Sequence, residues 1–158
     1  MRCDTAARPR VLVSRGYATA ALARSLRGSG GMRTHRILIV DDSLVILDVL
    51  REFLRGRYEI DTAANASQAL AAFARRSPDL ILLDIRMPGV DGLSLLRSFR
   101  DTGMQVPIFV MTGYASLEIA RDALDSGATA YLPKPFDLRH LDRLIADALG
   151  TAEVQPTA

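Results

Sequence analysis

Leu80-Ile81-Leu82-Leu83-Asp84 decides how the rest of the chain is read: four large aliphatic residues in a row, closed by an acid. A short, uninterrupted apolar run bounded by polar or turn residues is the pattern of a strand buried on both faces, as in a parallel sheet. Three more runs have the same form. Ile37-Leu38-Ile39-Val40 ends in Asp41-Asp42, Ile108-Phe109-Val110-Met111 ends in Thr112, and Ala130-Tyr131-Leu132 leads through Pro133 to Lys134. Ligands of open parallel sheets bind outside the carboxyl ends of the strands. Three carboxylates, a hydroxyl and an ammonium are therefore expected to converge there. Lys134 is also the only lysine, beside nineteen arginines. A compact point charge kept at one position marks a place where a planar guanidinium fork would not serve.

Between residues 36 and 149 strand and helix patterns alternate five times, which predicts an α/β doubly wound, five-stranded parallel sheet with five helices. The first helix is expected after Asp42, with Ile46, Leu50, Phe53 and Leu54 on one face, stopping near Gly56. The second, over residues 66–75, carries Ala66, Ala69, Leu70 and Phe73 at helical spacing behind an Asn65/Gln68 capping pair. Asp91 is expected to cap the third (Leu95, Leu96 and Phe99 inward), Ser116 the fourth, and Asp137 the fifth. The fifth should turn Leu141, Leu144, Ile145 and Ala148 inward and end at Gly150. The second strand, residues 58–63, differs from the others. Tyr58, Ile60 and Thr62 alternate with Glu59 and Asp61, as on a wetter sheet edge. That favours the strand order 2-1-3-4-5, with its crevice between the first and third strands, where Asp41, Asp42 and Asp84 would lie.

At 158 residues one domain is expected, over residues 34–150. The apolar runs are too short to span a bilayer, and Cys3 has no partner for a disulfide, in keeping with a reducing cytoplasm. The net charge of +2 conceals an asymmetry: residues 1–31 carry six arginines against Asp4, so the remainder is acidic. The basicity belongs to the leader, and no nucleic-acid binding is inferred for the domain. Residues 1–33 read as a disordered basic leader or a mis-called start, with Met32 as the initiator. An Arg-rich transit segment, contact with anionic surfaces and a short helix over residues 17–26 stay open. Residues 151–158 read as a disordered tail.

Adjacent acids near a third carboxylate are costly to hold without a cation among them. With no Cys or His set nearby, hard oxygen donors favour Mg²⁺ over zinc. An aspartate can also be a covalent nucleophile toward phosphorus. With Asp84 in that role, Lys134 would ion-pair with the phosphoryl group and Thr112 would donate a hydrogen bond to it; positioning and charge neutralisation carry such a transfer. A cis Lys134-Pro135 bond is one means of aiming the lysine.

Ile37-Leu38-Ile39-Val40-Asp41-Asp42-Ser43, Leu82-Leu83-Asp84-Ile85-Arg86-Met87-Pro88-Gly89-Val90-Asp91-Gly92, Val110-Met111-Thr112-Gly113-Tyr114 and Tyr131-Leu132-Pro133-Lys134-Pro135-Phe136 together resemble the receiver domain of bacterial two-component response regulators. The resemblance covers roughly residues 36 to 150, and each motif gains its force from the others. It implies a flavodoxin-like fold in which Asp84 accepts phosphate from a histidine kinase or histidine phosphotransfer protein. It also implies Mg²⁺ held at Asp84 by Asp42 directly, by Asp41 through water and by the Arg86 carbonyl. Thr112 and Tyr131 match the pair that reports phosphorylation, and Arg86 and Tyr114 occupy the two positions that set how water reaches the phosphoryl group.

The expected protein is a stand-alone regulator, not a turnover enzyme beyond gaining and slowly losing its own phosphate. It would signal through a downstream protein target or pass phosphate on in a phosphorelay, with no direct nucleic-acid or membrane contact. A homodimer through the fourth and fifth helices, using Arg121, Asp122, Asp125 and Arg139, is one expectation; an ordinary charged face is the other. Two alternatives use similar residues. A haloacid-dehalogenase-type phosphatase needs a second acid where Arg86 stands, and a pseudo-receiver would bind partners without taking phosphate. Asp84 as a turn acid, Asp41-Asp42 as a helix cap, Thr112 as a strand end, Lys134 as a surface charge and Tyr131 as packing are the ordinary readings. His35 and His140 lack ligand spacing and are expected to face solvent.

Overall fold

The computed structural model describes residues 11–14, 34–114 and 116–151. Its main sheet joins β1 (Leu12–Val13), β2 (Arg36–Val40), β3 (Glu59–Ala63), β4 (Leu80–Asp84), β7 (Ile108–Thr112) and β8 (Ala130–Pro133) in the order β1-β8-β7-β4-β2-β3. The helices are α1 (Leu44–Leu54), α2 (Ala66–Arg75), α3 (Gly92–Asp101), α4 (Leu117–Asp125) and α5 (Leu138–Leu149). The five long strands are parallel and ordered as expected, with β3 at the edge. β1 is an addition that lies antiparallel on the outside of β8. β5 (Arg86–Met87) and β6 (Val90–Asp91) form a separate two-stranded ribbon around Pro88 and Gly89, whose φ of 75° suits a residue without a Cβ.

Side-chain alternation splits the core in two. Leu38, Val40, Ile81, Leu83, Ile108 and Val110 join α2, α3 and α4 on one face of the sheet. Ile37, Ile39, Leu80, Leu82, Phe109 and Met111 join α1 and α5 on the other. Because the strands are covered on both sides, they read as unbroken apolar runs, not as alternating ones.

The helix starts follow cap chemistry. Ser43, Asn65, Asp91, Ser116 and Asp137 each accept a backbone N–H from the first turn of the helix they precede. Asp137 is held below the usual carboxylate range, chiefly by the hydrogen bond from His140 N. Gly150 closes α5 in the left-handed region. On α1 the buried residues are Leu47, Leu50 and Leu54, while Ile46 and Phe53 are half-buried; on α5 Leu149 is buried and Leu144 half-buried. Leu70 departs from expectation. The inner line of α2 is made by Ala69 and Ala72, and Leu70 faces solvent at 44% exposure. Successive residues lie about 100° apart around a helix, so the rotation of α2 that seats Ala69 and Ala72 on the core turns Leu70 outward.

At the amino-terminal end of the sheet, the buried Arg36 guanidinium pairs with Asp61 and donates to the Arg76 carbonyl at 2.9 Å, while Asp79 accepts the Arg36 N–H at 2.9 Å. No helix among the described residues is long and apolar enough to cross a membrane. The helix considered for residues 17–26 lies outside the described residues, as do residues 152–158.

Candidate functional site

Register and alternation assemble the site. Val40 pairs with Leu83, Asp84 with Met111, Met111 with Leu132 and Thr112 with Pro133, so the residues just past each pairing sit side by side at the carboxyl edge. Asp41 and Asp84 continue the alternation of Ile37, Ile39, Leu80 and Leu82, which face α1 and α5. Lys134, two beyond Leu132, falls on that side too. Thr112 continues Ile108 and Val110 toward α4, the side that also holds Tyr131. Three charged groups thus gather on one side of the strand ends and the hydroxyl–phenol pair on the other.

The distances agree. Lys134 Nζ lies 2.6 Å from Asp41 Oδ2 and 3.5 Å from Asp84 Oδ2. Asp41, Asp84 and Thr112 are buried, whereas Asp42 is exposed. Lys134 N donates to the Thr112 carbonyl at 2.7 Å, which extends the β7–β8 ladder to the lysine, and the Lys134–Pro135 peptide is cis. Asp41 is oriented by Ser43 N at 2.9 Å, and Asp84 by Arg86 N at 3.0 Å. Ser43, and neither of the paired acids, supplies the side-chain cap of α1. Burial pushes the Asp84 carboxyl above its ordinary value; Arg86 N and Lys134 oppose the shift, and Asp41 adds to it.

Asp41, Asp42 and Asp84 each offer a carboxylate oxygen, and these oxygens lie within 4.8 Å of one another. A donor set of carboxylates alone, open to solvent on the Asp42 side, suits a small hard divalent cation that keeps some of its water. The residues present therefore fit Mg²⁺.

Two further relations complete the surroundings. Thr112 Oγ1 accepts from Tyr114 N at 3.1 Å, and the Tyr131 hydroxyl, on a buried ring, donates to the Tyr114 carbonyl at 3.4 Å. Burial also raises the Tyr131 phenol above its ordinary value. The Arg86 guanidinium stacks over the Tyr114 ring, 4.8 Å from its centroid, and both side chains are exposed. Nothing in the sequence aims one side chain at the other: Arg86 stands two residues after Asp84 and Tyr114 two after Thr112, on separate loops.

The remaining candidates lie elsewhere. Asp122 and Asp125 line a groove of about 450 Å³ with Arg97, Arg100 and Asp101, so they face α3. His35 and His140 are half-buried rather than solvent-facing, and neither is near the acidic cluster.

The family model for the response regulator receiver domain matches residues 37–146. The chain belongs to the response regulator receiver family. It is 38% identical over 120 residues to the DNA-binding transcriptional regulator NtrC of Salmonella typhimurium, covering 75% of this chain and 26% of that protein. It is 41% identical over 116 residues to the regulatory protein AtoC of Escherichia coli, covering 73% and 25%. The chain thus spans about a quarter of the length of these relatives. Among solved structures it resembles a CheY-like receiver domain protein from Methanospirillum hungatei, with TM-score 0.71 and 37% identity over 74% of this chain and 94% of that one. It also resembles the chemotaxis protein CheY4 of Vibrio cholerae, with TM-score 0.70 and 30% identity over 74% of this chain and all of that one. Family and fold are those expected of a two-component receiver.

Proposed function

We propose that Asp84 accepts a phosphoryl group from a histidine kinase or histidine phosphotransfer protein in the cytoplasm. One observation carries the reading: a buried carboxylate at the end of β4 has an ammonium 3.5 Å away and two further acids at hand. An Asp84 carboxylate oxygen forms an O–P bond as the N–P bond of a phosphohistidine breaks, and the electron pair of that bond leaves with the imidazole. Lys134 pairs with the new phosphoryl oxygens, and the Thr112 hydroxyl turns from Tyr114 N to donate to one of them. Asp42, Asp84, Asp41 and the Arg86 carbonyl would hold Mg²⁺, which when bound supplies positive charge beside the phosphoryl oxygens.

The phosphoryl group adds about −1.5 to −2 charges at the edge of the sheet. The Thr112–Tyr114–Tyr131 hydrogen bonds run from there to the face formed by α4, β8 and α5, where a protein target would read the change or from which phosphate would be passed on. Incubation with acetyl phosphate and Mg²⁺ tests the proposal. One acid-stable, base-labile phosphoryl group per chain, lost in Asp84→Asn, is expected. Continuous release of inorganic phosphate without a stable adduct would mark a phosphatase, and no adduct at all a pseudo-receiver.

A further inference from the structure

The outer edge of β8 is closed by the chain's own leader. Leu12 pairs with Tyr131 and Val13 with Ala130, and Ser14 N donates to the Thr129 carbonyl at 2.9 Å. Leu12 packs on the core cluster that includes Tyr131, while Val11 packs on the opposite cluster. Val11 also walls a cleft of about 420 Å³ with Pro133, Phe136, His140 and Arg143. An uncovered edge strand presents unpaired backbone groups to any other strand, and this segment removes that opportunity at β8. Its hold is slight. The strand is two residues long and Val13 is 40% exposed, the kind of element that opens locally at low free-energy cost.

The strand also stands at the end of a continuous set of contacts. Leu12 lies opposite Tyr131, the Tyr131 hydroxyl donates to the Tyr114 carbonyl, and Tyr114 N donates to Thr112 Oγ1. A Thr112 hydroxyl drawn away from Tyr114 N leaves that amide without its acceptor, disturbs the acceptor of Tyr131, and so loosens the surface on which Leu12 rests.

We propose that residues 11–14 are an intramolecular strap: they close the β8 edge while Thr112 is bonded to Tyr114, and they are displaced when Thr112 turns to a phosphoryl group on Asp84. The proposal rests on the phosphoacceptor reading of Asp84. Displacement bares the hydrogen-bonding edge of β8 and opens the cleft behind Val11. Because coupling between two sites is reciprocal, weakening the strap also tightens phosphoryl-mimic binding at Asp84.

Hydrogen exchange on the full chain tests this in the wild type, Leu12→Asp and Ser14→Pro, each with and without beryllofluoride and Mg²⁺. Ser14→Pro removes the N–H given to Thr129, and Leu12→Asp removes the apolar contact. In the wild type, residues 11–14 and β8 are expected to exchange more slowly than in either variant, and faster once beryllofluoride is added. Both variants should bind beryllofluoride about five-fold more tightly, at the lower end of usual couplings. Equal exchange of β8 in all three proteins would overturn the strap. Beryllofluoride that slows exchange around Asp84 and Thr112 but leaves residues 11–14 unchanged, or equal affinities, would overturn the switch while sparing the phosphoacceptor. No response around Asp84 in any protein would overturn the phosphoacceptor reading, and the switch with it.

Discussion

Replacing Lys134 with alanine takes the ammonium out of a cluster of three carboxylates, two of them buried. With Nζ at 2.6 Å from Asp41 and 3.5 Å from Asp84, the two attractions are of order 6 and 5 kcal/mol at an effective dielectric of about 20. Desolvation of the lysine and the acids offsets much of this, and breaking a buried pair from one side costs about 3–5 kcal/mol. The lysine side chain keeps 18% of its exposure, so water still screens it and the lower figure, about 3 kcal/mol, is expected. Urea unfolding at neutral pH in metal-free buffer should show the midpoint falling by about 1–3 M. Millimolar Mg²⁺ should restore part of the loss, because a divalent cation relieves the same repulsion. Lowering the pH should restore part of it as well, since protonating one carboxyl removes a charge. A loss below about 0.5 kcal/mol, the scale of an exposed pair, or a loss untouched by both Mg²⁺ and acid, would refute the picture of a charge held between buried acids.

Asp84→Asn should raise the melting temperature at neutral pH without metal. Because burial raises the Asp84 carboxyl, stability falls as pH climbs from the unfolded-state value near 3.8 through the folded one. The amide escapes that cost, and the two proteins should converge in melts below about pH 3.8. Gly92→Ala should destabilise by at least about 2 kcal/mol in urea, since a Cβ there would stand 2.2 Å from the Ile85 Cα. Arg86→Asn combined with Tyr114→Ala removes the stack beside Asp84 and should speed loss of the phosphoryl group. A gain of about five-fold or more, ~1 kcal/mol of barrier, is expected in a phosphate-release assay, from a wild-type lifetime longer than minutes.

Much of the fold could be read from the chain because burial on both faces leaves an unmistakable mark. Unbroken aliphatic runs located β2, β4 and β7, and the polar alternation of residues 58–63 located the edge. Asn65, Asp91, Ser116 and Asp137 before apolar periodicity placed four helix starts, and the first helix begins after Asp42 as expected, with Ser43 as its cap. The grouping of Asp41, Asp42, Asp84, Thr112 and Lys134 was legible for a related reason: in a parallel sheet, whatever follows a buried run arrives at the same end. Other features left no such mark. Two residues of β1 are too few to show a period, and their strand exists because β8 offers an edge. The outward turn of Leu70 depends on how α2 is rotated about its axis to seat Ala69 and Ala72 on the core. The Arg86–Tyr114 stack joins two loops whose meeting is set by the sheet between them, and Asp122 and Asp125 face α3 because of how α4 is rotated.

The Arg36 cluster gives the molecule unequal ends. At one end, the Arg36 guanidinium held by the Asp61 carboxylate and the Arg76 carbonyl, with Asp79 on the Arg36 N–H, fastens β2 to its surroundings. At the other, the strands run out into short loops around Asp84 and Thr112. The sheet is therefore built like a cantilever, clamped at its root and compliant at its tip. A disturbance arriving at the tip is spent on bending the loops and their outer neighbours, and the root keeps the strands in register throughout.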